Sequence, residues 1–525
     1  MKLQTRFLIE KALQSISENQ FNTASLYLTQ ASKIDPKHSE ITRLVGVCCY
    51  FSNQHEAALE HFDRAILLDS RNASAYNNKA TLLSENGLYD IAIQNFTKAI
   101  ELDKNNYEVR NNLGNALQDL KRYDEAIACF EKAISLKPNF AEAYSNLGNA
   151  LQDLKRYDEA IACFEKAISI KPNYAEAYSS LGKLQNEGGN HTLAKELFSL
   201  AINKNPNYSE GHLNLACSFL EEFDFKNGWN EYEWRIGIKE NRRHFFRSTK
   251  PLWNGIDKVS RLLIVGEQGI GDQILHGSIL SEFKGFNHKI IVALDKKIIS
   301  IFARAFPNFS FVDKNEAIPE DIYDEYIMLG SLGKYFRQDL NKFTSNKPFL
   351  AANEKIKEQI KNHSGQQSNL IGLSWKSINA KVGSNKSVDL EDLLPILQLK
   401  NISFINLQYG NTVSEIKSFK DSHGIQVHKF ESINLYDDIE SLAALIDSCS
   451  AIVTTSNTTA HLSGALGKST LLLLPRAVGK FWYWHSQSNQ SIWYPSVRIF
   501  QQKVDGDWTY PISELKNFLE DFFAK

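Results

Sequence analysis

The segment NLGNALQDLKRYDEAIACFEKAIS begins at Asn112 and recurs unchanged at Asn146, a shift of 34 residues. A chain that repeats on such a period is built from one small unit stacked on itself, each copy burying the apolar face of its neighbour. Small residues mark where paired helices must touch. One column runs Ala24, Ala58, Ala92, Ala126, Ala160 and Ala194, and another runs Ala31, Ala65, Ala99, Ala133, Ala167 and Ala201. Phe62, Phe96, Phe130, Phe164 and Phe198 supply bulk, while Gly46, Gly114, Gly148 and Gly182 permit close approach. Pro36, Pro138, Pro172 and Pro206 stop the second helix of their units, because proline cannot continue a helix past its first turn.

This period and pattern are those of tetratricopeptide repeats (TPR). They predict six repeats over 5–208 and a degenerate seventh, with the whole TPR superhelix over 1–238. Trp229, Tyr232 and Trp234 suit a last helix that docks on a following domain. Asn78, Asn112, Asn146 and Asn214 share one helical position, interrupted by Ser180. Amides at that spacing can hydrogen-bond a peptide backbone without reading its side chains. They resemble the asparagine ladder of the O-linked N-acetylglucosamine transferases, which implies a protein or peptide acceptor. The competing reading is that Asn is common at this place in such repeats.

Composition removes several classes. Lys+Arg 59 against Asp+Glu 61 gives no broad basic surface for nucleic acid. No transmembrane segment is expected, and the first residues lack the apolar stretch of a secretory leader. The 6 Cys form no metal-type pairs and read as reduced thiols, so a cytoplasmic protein is expected.

After a linker over 239–260, with a basic run Arg242, Arg243, His244 and Arg247, the pattern changes. RLLIVG, KIIVALD, FSFVD and DEYIMLG read as buried strands between helical stretches, and the alternation restarts with NLIGLSW, ISFINLQYG, AIVTTS and STLLLLP. Such βα alternation predicts parallel sheets with helices on both faces. The expected lobes are 261–355 and 356–525, facing a common cleft at their strand ends.

The stretches LLIVGEQGIGD, IGLSWKS, FINLQYG, IVTTSNTTAHLSGALGK and WYPSVRIFQQ…GDW resemble, in that order, the inverting GT-B glycosyltransferases related to the heptosyltransferases (glycosyltransferase family 9). Bacterial proteins that fuse tetratricopeptide repeats to such a domain are the nearer likeness. The resemblance implies an all-α TPR superhelix followed by an α/β GT-B domain of two Rossmann-like lobes. It also implies a nucleotide-sugar donor, with no cofactor and no metal, bound on the second lobe, and an acceptor on the first. The closing helix ISELKNFLEDFF is expected to cross back onto the first lobe.

Residue by residue, the resemblance places the base that takes the acceptor hydroxyl proton at Asp272, with Glu267 as the alternative. Asp272 also fits an N-terminal helix cap. Gly269 and Gly271 let a ligand approach the turn. Lys376 is expected to neutralise the donor diphosphate, assisted by Lys381, Ser384, Lys386 and Ser387. Ser456, Asn457, Thr458, Thr459 and His461 open a helix whose free N–H groups suit a diphosphate. They equally fit a capped structural helix. Ser456-Asn457 stands where the family commonly has Asp-Thr. Trp482 is expected to stack on a base or sugar.

The leading expectation is transfer of a sugar to a protein held by the repeats. The alternative is a non-catalytic scaffold whose α/β half senses a nucleotide or is a relic. A dinucleotide-dependent oxidoreductase fits poorly, since GEQGIGD lacks the GxGxxG spacing.

Overall fold

The computed structural model describes residues 3–238, 246–256, 259–286, 289–343, 347–364, 369–378, 383–430, 433–485 and 488–524. Arg242, Arg243, His244 and Lys381 lie outside the described residues. The chain divides into two compact units, Met1–Asn186 with Thr192–Asn207, and Glu187–His191 with Tyr208–Lys525.

The first unit is a run of helical hairpins. They are α1 (Leu3–Ser17) with α2 (Phe21–Ile34), α3 (Ser39–Phe51) with α4 (His55–Leu68), α5 (Ala73–Glu85) with α6 (Tyr89–Leu102), α7 (Tyr107–Asp119) with α8 (Tyr123–Leu136), α9 (Ala141–Asp153) with α10 (Tyr157–Ile170), and α11 (Ala175–Glu187) with α12 (His191–Lys204). Both alanine columns are fully buried. A Cβ at Gly148 would stand 2.7 Å from the Phe164 ring, so the missing side chain is what lets the paired helices close. Helices α2, α8, α10 and α12 each end just before their proline, as the sequence predicts.

A further regularity sits in the turns inside each hairpin. One residue per turn is left-handed: Asn19, Asn53, Gly87, Lys121, Lys155 and Gly189, one in each 34-residue repeat. The same step reaches Phe223 (φ 65°), in the turn between α13 (Ser209–Glu221) and α14 (Phe225–Tyr232). The degenerate seventh repeat therefore keeps the backbone of its predecessors although its sequence has drifted.

That seventh hairpin belongs to the second unit. The boundary expected at 238/239 is thus displaced to 207/208 for packing reasons. Trp229, buried on α14, donates its indole N–H to the Arg337 carbonyl at 2.7 Å and fills the space a Cβ at Gly333 would need. The stretch read as a linker is also partly structural. Leu252 bridges Tyr326, and Trp253 is buried against Phe283 and Tyr335.

The rest of this unit holds two all-parallel sheets. The first comprises β1 (Arg261–Val265), β2 (Lys289–Leu294), β3 (Ser310–Asp313) and β4 (Glu325–Met328), in the order β3-β2-β1-β4. The second comprises β5 (Leu370–Ser374), β6 (Ser403–Asn406), β7 (Val427–His428), β8 (Ala451–Thr455), β9 (Thr470–Leu474) and β10 (Val497–Gln501), in the order β10-β9-β8-β5-β6-β7. Counted within the second sheet this is the doubly wound order, which reverses direction between β5 and β8. In the first sheet the reversal falls between β1 and β4. Ligands of open α/β sheets bind beyond the strand ends at such reversals.

Around the sheets lie α15 (Ile270–Gly277), α16 (Lys296–Ala305), α17 (Gly333–Phe336), α18 (Glu354–Ser364), α19 (Leu394–Leu397), α20 (Val413–His423), α21 (Ile439–Ser448), α22 (Thr458–Ala465) and α23 (Thr509–Ala524). The lobe boundary expected at 355/356 falls in the first turn of α18, which packs on α21 of the second lobe. Between β5 and β6, VDLEDLLPILQL yields only the short α19, because Pro395 fits solely in a first turn. One expectation fails here. Helix α23 does not cross to the first lobe. Its Ile512, Leu515 and Leu519 join Ile371, Leu373 and Phe404 in the core of the second lobe.

Candidate functional site

The two reversals are brought together by α15 and α22. Helix α15 leaves the end of β1 and α22 leaves the end of β8, and the two pack on each other. Gly271 is the contact point: a Cβ there would stand 2.9 Å from His461 Cδ2. Asp272 and the Ser456–His461 turn therefore lie on two helices in direct contact, with Gly271 making the approach possible.

Asp272 is half-buried at the third position of α15, where one carboxylate oxygen accepts the Gly269 N–H at 3.3 Å. It thus performs the capping role. Its pKa is nevertheless pushed up to about 6, chiefly by burial, with Glu267 adding to the rise and the Gly269 N–H and Lys386 opposing it. A carboxylate so placed is ionised at neutral pH yet more basic than an ordinary aspartate. Lys386, 5% exposed, approaches from the loop after β5, and burial lowers its pKa to about 8 against the pull of Asp272. Its ammonium lies 4.7 Å from the Phe481 ring centroid. His461 is buried, stacks on Trp484 at 4.9 Å and hydrogen-bonds the Tyr494 hydroxyl at 3.2 Å. Burial, with Lys386 and His276 nearby, lowers its pKa to about 3, so it stays neutral.

Other expected residues are committed to protein contacts. Glu267 is buried and ion-paired with Arg235 at 2.6 Å, which leaves Asp272 as the half-exposed carboxylate of this turn. Lys376 pairs with Glu415 at 2.9 Å, and its backbone joins Gln408 and Asn457. From the second lobe, Lys386 rather than Lys376 is the lysine that acts on Asp272. Asn457 caps α22 through Ala460 N–H and donates to Ser374 Oγ at 3.0 Å, tying the ends of β5 and β8 together. Ser456 Oγ accepts the Trp484 indole N–H at 2.8 Å. Thr458 is half-buried, while Thr459 is buried with a hydroxyl that has no partner among the described residues. Trp482 is buried rather than open to a ligand: it packs edge-on against Trp229 at 5.5 Å and joins the aromatic core.

In the first unit, Asn112 donates to Asn77 at 3.3 Å and Asn146 to Asn111 at 2.9 Å, so these amides link successive repeats. Asn78 is half-buried on α5, and Asn214 lies on α13 of the second unit. Sequence reasoning missed Arg235, because nothing in its local pattern marks a residue whose partners are 32 and 96 positions away.

The tetratricopeptide repeat profile matches 73–106, 107–140 and 141–174. Residues 73–174 are tetratricopeptide repeats. The chain is 26% identical over 320 residues to protein FlbA of Caulobacter vibrioides, covering 57% of this chain and 52% of FlbA, so it spans about half of that relative's length. Similar solved structures include MamA, 27% identical over 31% of this chain and 95% of that one, with a TM-score of 0.28. Another is YrrB, described as a TPR protein with an unusual peptide-binding site, 25% identical over 35% of this chain and 95% of that one, with a TM-score of 0.29. Among the described residues, no helix is long and apolar enough to cross a membrane, and no three His, Cys, Asp or Glu side chains group as metal ligands.

Proposed function

We propose that the second unit is a GT-B-type, inverting glycosyltransferase that moves a sugar from a nucleotide-sugar to an acceptor without a metal ion, and that the repeats hold a protein acceptor. The observation that carries this reading is the juxtaposition of Asp272 with Lys386 and α22 at the reversals of two parallel sheets. In this reaction Asp272 takes the proton of the acceptor hydroxyl as its oxygen attacks the sugar C1. The bond from C1 to the phosphate oxygen breaks, and the nucleoside diphosphate leaves with the electron pair. Lys386 and the first N–H groups of α22 offset the charge that develops on the departing diphosphate.

The scaffold reading draws on one specific observation: Asn457 and Ser456 serve as protein latches, so the turn has given up groups that a donor site would use. A thermal-shift panel of UDP-, GDP-, ADP- and CMP-sugars, and the free diphosphates, separates the two readings. A true donor at 100 times its dissociation constant should add about 2.7 kcal/mol of stability. No shift with any sugar nucleotide sinks the transferase reading. A shift with diphosphates alone and no turnover supports the sensor.

A further inference from the structure

Arg235 lies on the 3₁₀ turn Glu233–Gly237 that follows α14, and its side chain is completely buried. Its guanidinium reaches the turn beyond β1. Nη2 donates to Glu267 Oε1 at 2.6 Å and to Ser331 Oγ at 2.9 Å, and Nε reaches the same glutamate oxygen at 3.2 Å. Nη1 donates to Glu233 at 2.9 Å and to the Tyr232 carbonyl at 3.1 Å. Gly330 N–H adds a further bond to Glu267 Oε1 at 2.9 Å. The other oxygen, Glu267 Oε2, is buried and has no partner among the described residues. A buried ion pair adds little net stability, because desolvation offsets the attraction. What it does fix is the geometry and the field of the turn between Glu267 and Asp272.

We propose that Arg235, donated by the seventh repeat, is a positioning residue for Asp272: it clamps Glu267 and Ser331 to hold the turn that carries this carboxylate, and it offsets the Glu267 charge beside it. The proposal rests on the reading of Asp272 as the base. The charged groups facing Asp272 are Glu267 from its own turn, Lys386 from the loop after β5 and Lys314 from the end of β3. Tyr232, Tyr483 and Tyr494 approach as neutral phenols, and His276 and His461 as neutral imidazoles. Arg235 is thus the cation that binds Glu267 directly, whereas Lys386 answers Asp272. The seventh repeat then belongs to the chemistry of the α/β unit, and its drift from the repeat consensus follows from that second task.

The test uses the full chain and the pH dependence of its unfolding, read by tryptophan fluorescence. In Arg235→Met, the Glu267 charge beside Asp272 loses its counter-cation, and Asp272 holds its proton to higher pH. Stability should then fall more steeply than in the parent between pH ~6 and ~8. Glu267→Gln in the same background should remove the extra slope. Glu267→Gln alone, which serves if Arg235→Met does not fold, should lower the Asp272 midpoint, read against Asp272→Asn, by ~1 pH unit. Where turnover is measurable, Arg235→Met should lower kcat more than it raises KM, and Arg235→Lys should recover part of the loss. A slope equal to the parent's, or an unmoved midpoint in Glu267→Gln, overturns the proposal. None of the stability readouts needs turnover. Failure of the transferase reading is seen separately, as no sugar-nucleotide binding by the parent chain.

Discussion

Replacing Asp272 by Asn should stabilise the second unit while removing the proposed transfer activity. The carboxyl is raised from 3.8 to about 6 in the folded protein, chiefly because burial penalises the charge. A raised carboxyl contributes stability below its unfolded pKa and loses it as pH climbs through the folded value, so at pH 8 the native aspartate carries its full penalty. A shift of roughly two units corresponds to about 3 kcal/mol at most, falling to about half of that at pH 5, where the folded form already holds its proton. Asparagine retains an oxygen for the Gly269 N–H, so the cap survives. All 8 Trp lie at or beyond position 229, and denaturant titrations followed by tryptophan fluorescence therefore report on the second unit alone. The expected result is a variant more stable than the parent at pH 8, with the gap narrowing as pH drops to 5. A variant of equal or lower stability at pH 8, or a gap that does not change with pH, refutes the argument.

Lys386→Met should likewise raise stability at pH 7, by about 1–3 kcal/mol, since a lysine held near pKa 8 carries a burial penalty below that pH. The same change should weaken diphosphate binding in a calorimetric titration; unaltered affinity would remove Lys386 from the site. In the first unit, Gly148→Ala should cost about 1–3 kcal/mol by driving a methyl into Phe164, measured by circular dichroism of helix unfolding. Lys155→Gly should add up to about 1 kcal/mol, because a left-handed turn position suits glycine, and a loss of stability there would contradict the turn assignment.

The helical half was legible because its signal is repeated: each alanine column, proline stop and hairpin turn recurs at a fixed step, so errors average out. Even the drifted seventh repeat is traceable through Phe223, although the left-handed turn becomes visible only in the backbone. The strands with continuous apolar runs were equally plain, while β7, with two residues, and β10, which carries the exposed Arg498, lacked such a run. The Gly-rich turn pointed to Asp272, and its near contact with His461 follows from the absence of a Cβ at Gly271. Choosing between Lys376 and Lys386 was beyond local pattern, since it depends on Glu415, which claims the first. Asn457 and Trp482 stayed open for the same reason: an amide at a helix start and an indole after a strand suit a ligand or a core equally. The groups that engage them, Ser374 for one and Trp229 for the other, are distant in sequence.

If Asp272 is the base on an acceptor beside a bound sugar nucleotide, removing its charge must stop the release of nucleoside diphosphate. That release, or the release of CMP from a CMP-sugar, can be followed for the full chain across UDP-, GDP-, ADP- and CMP-sugars, with and without peptide acceptors. At least one donor should turn over in the parent and show no detectable turnover in Asp272→Asn, whose greater stability at pH 8 rules out unfolding as the cause. Undiminished release by Asp272→Asn, or none from any donor by the parent, would contradict this role for Asp272.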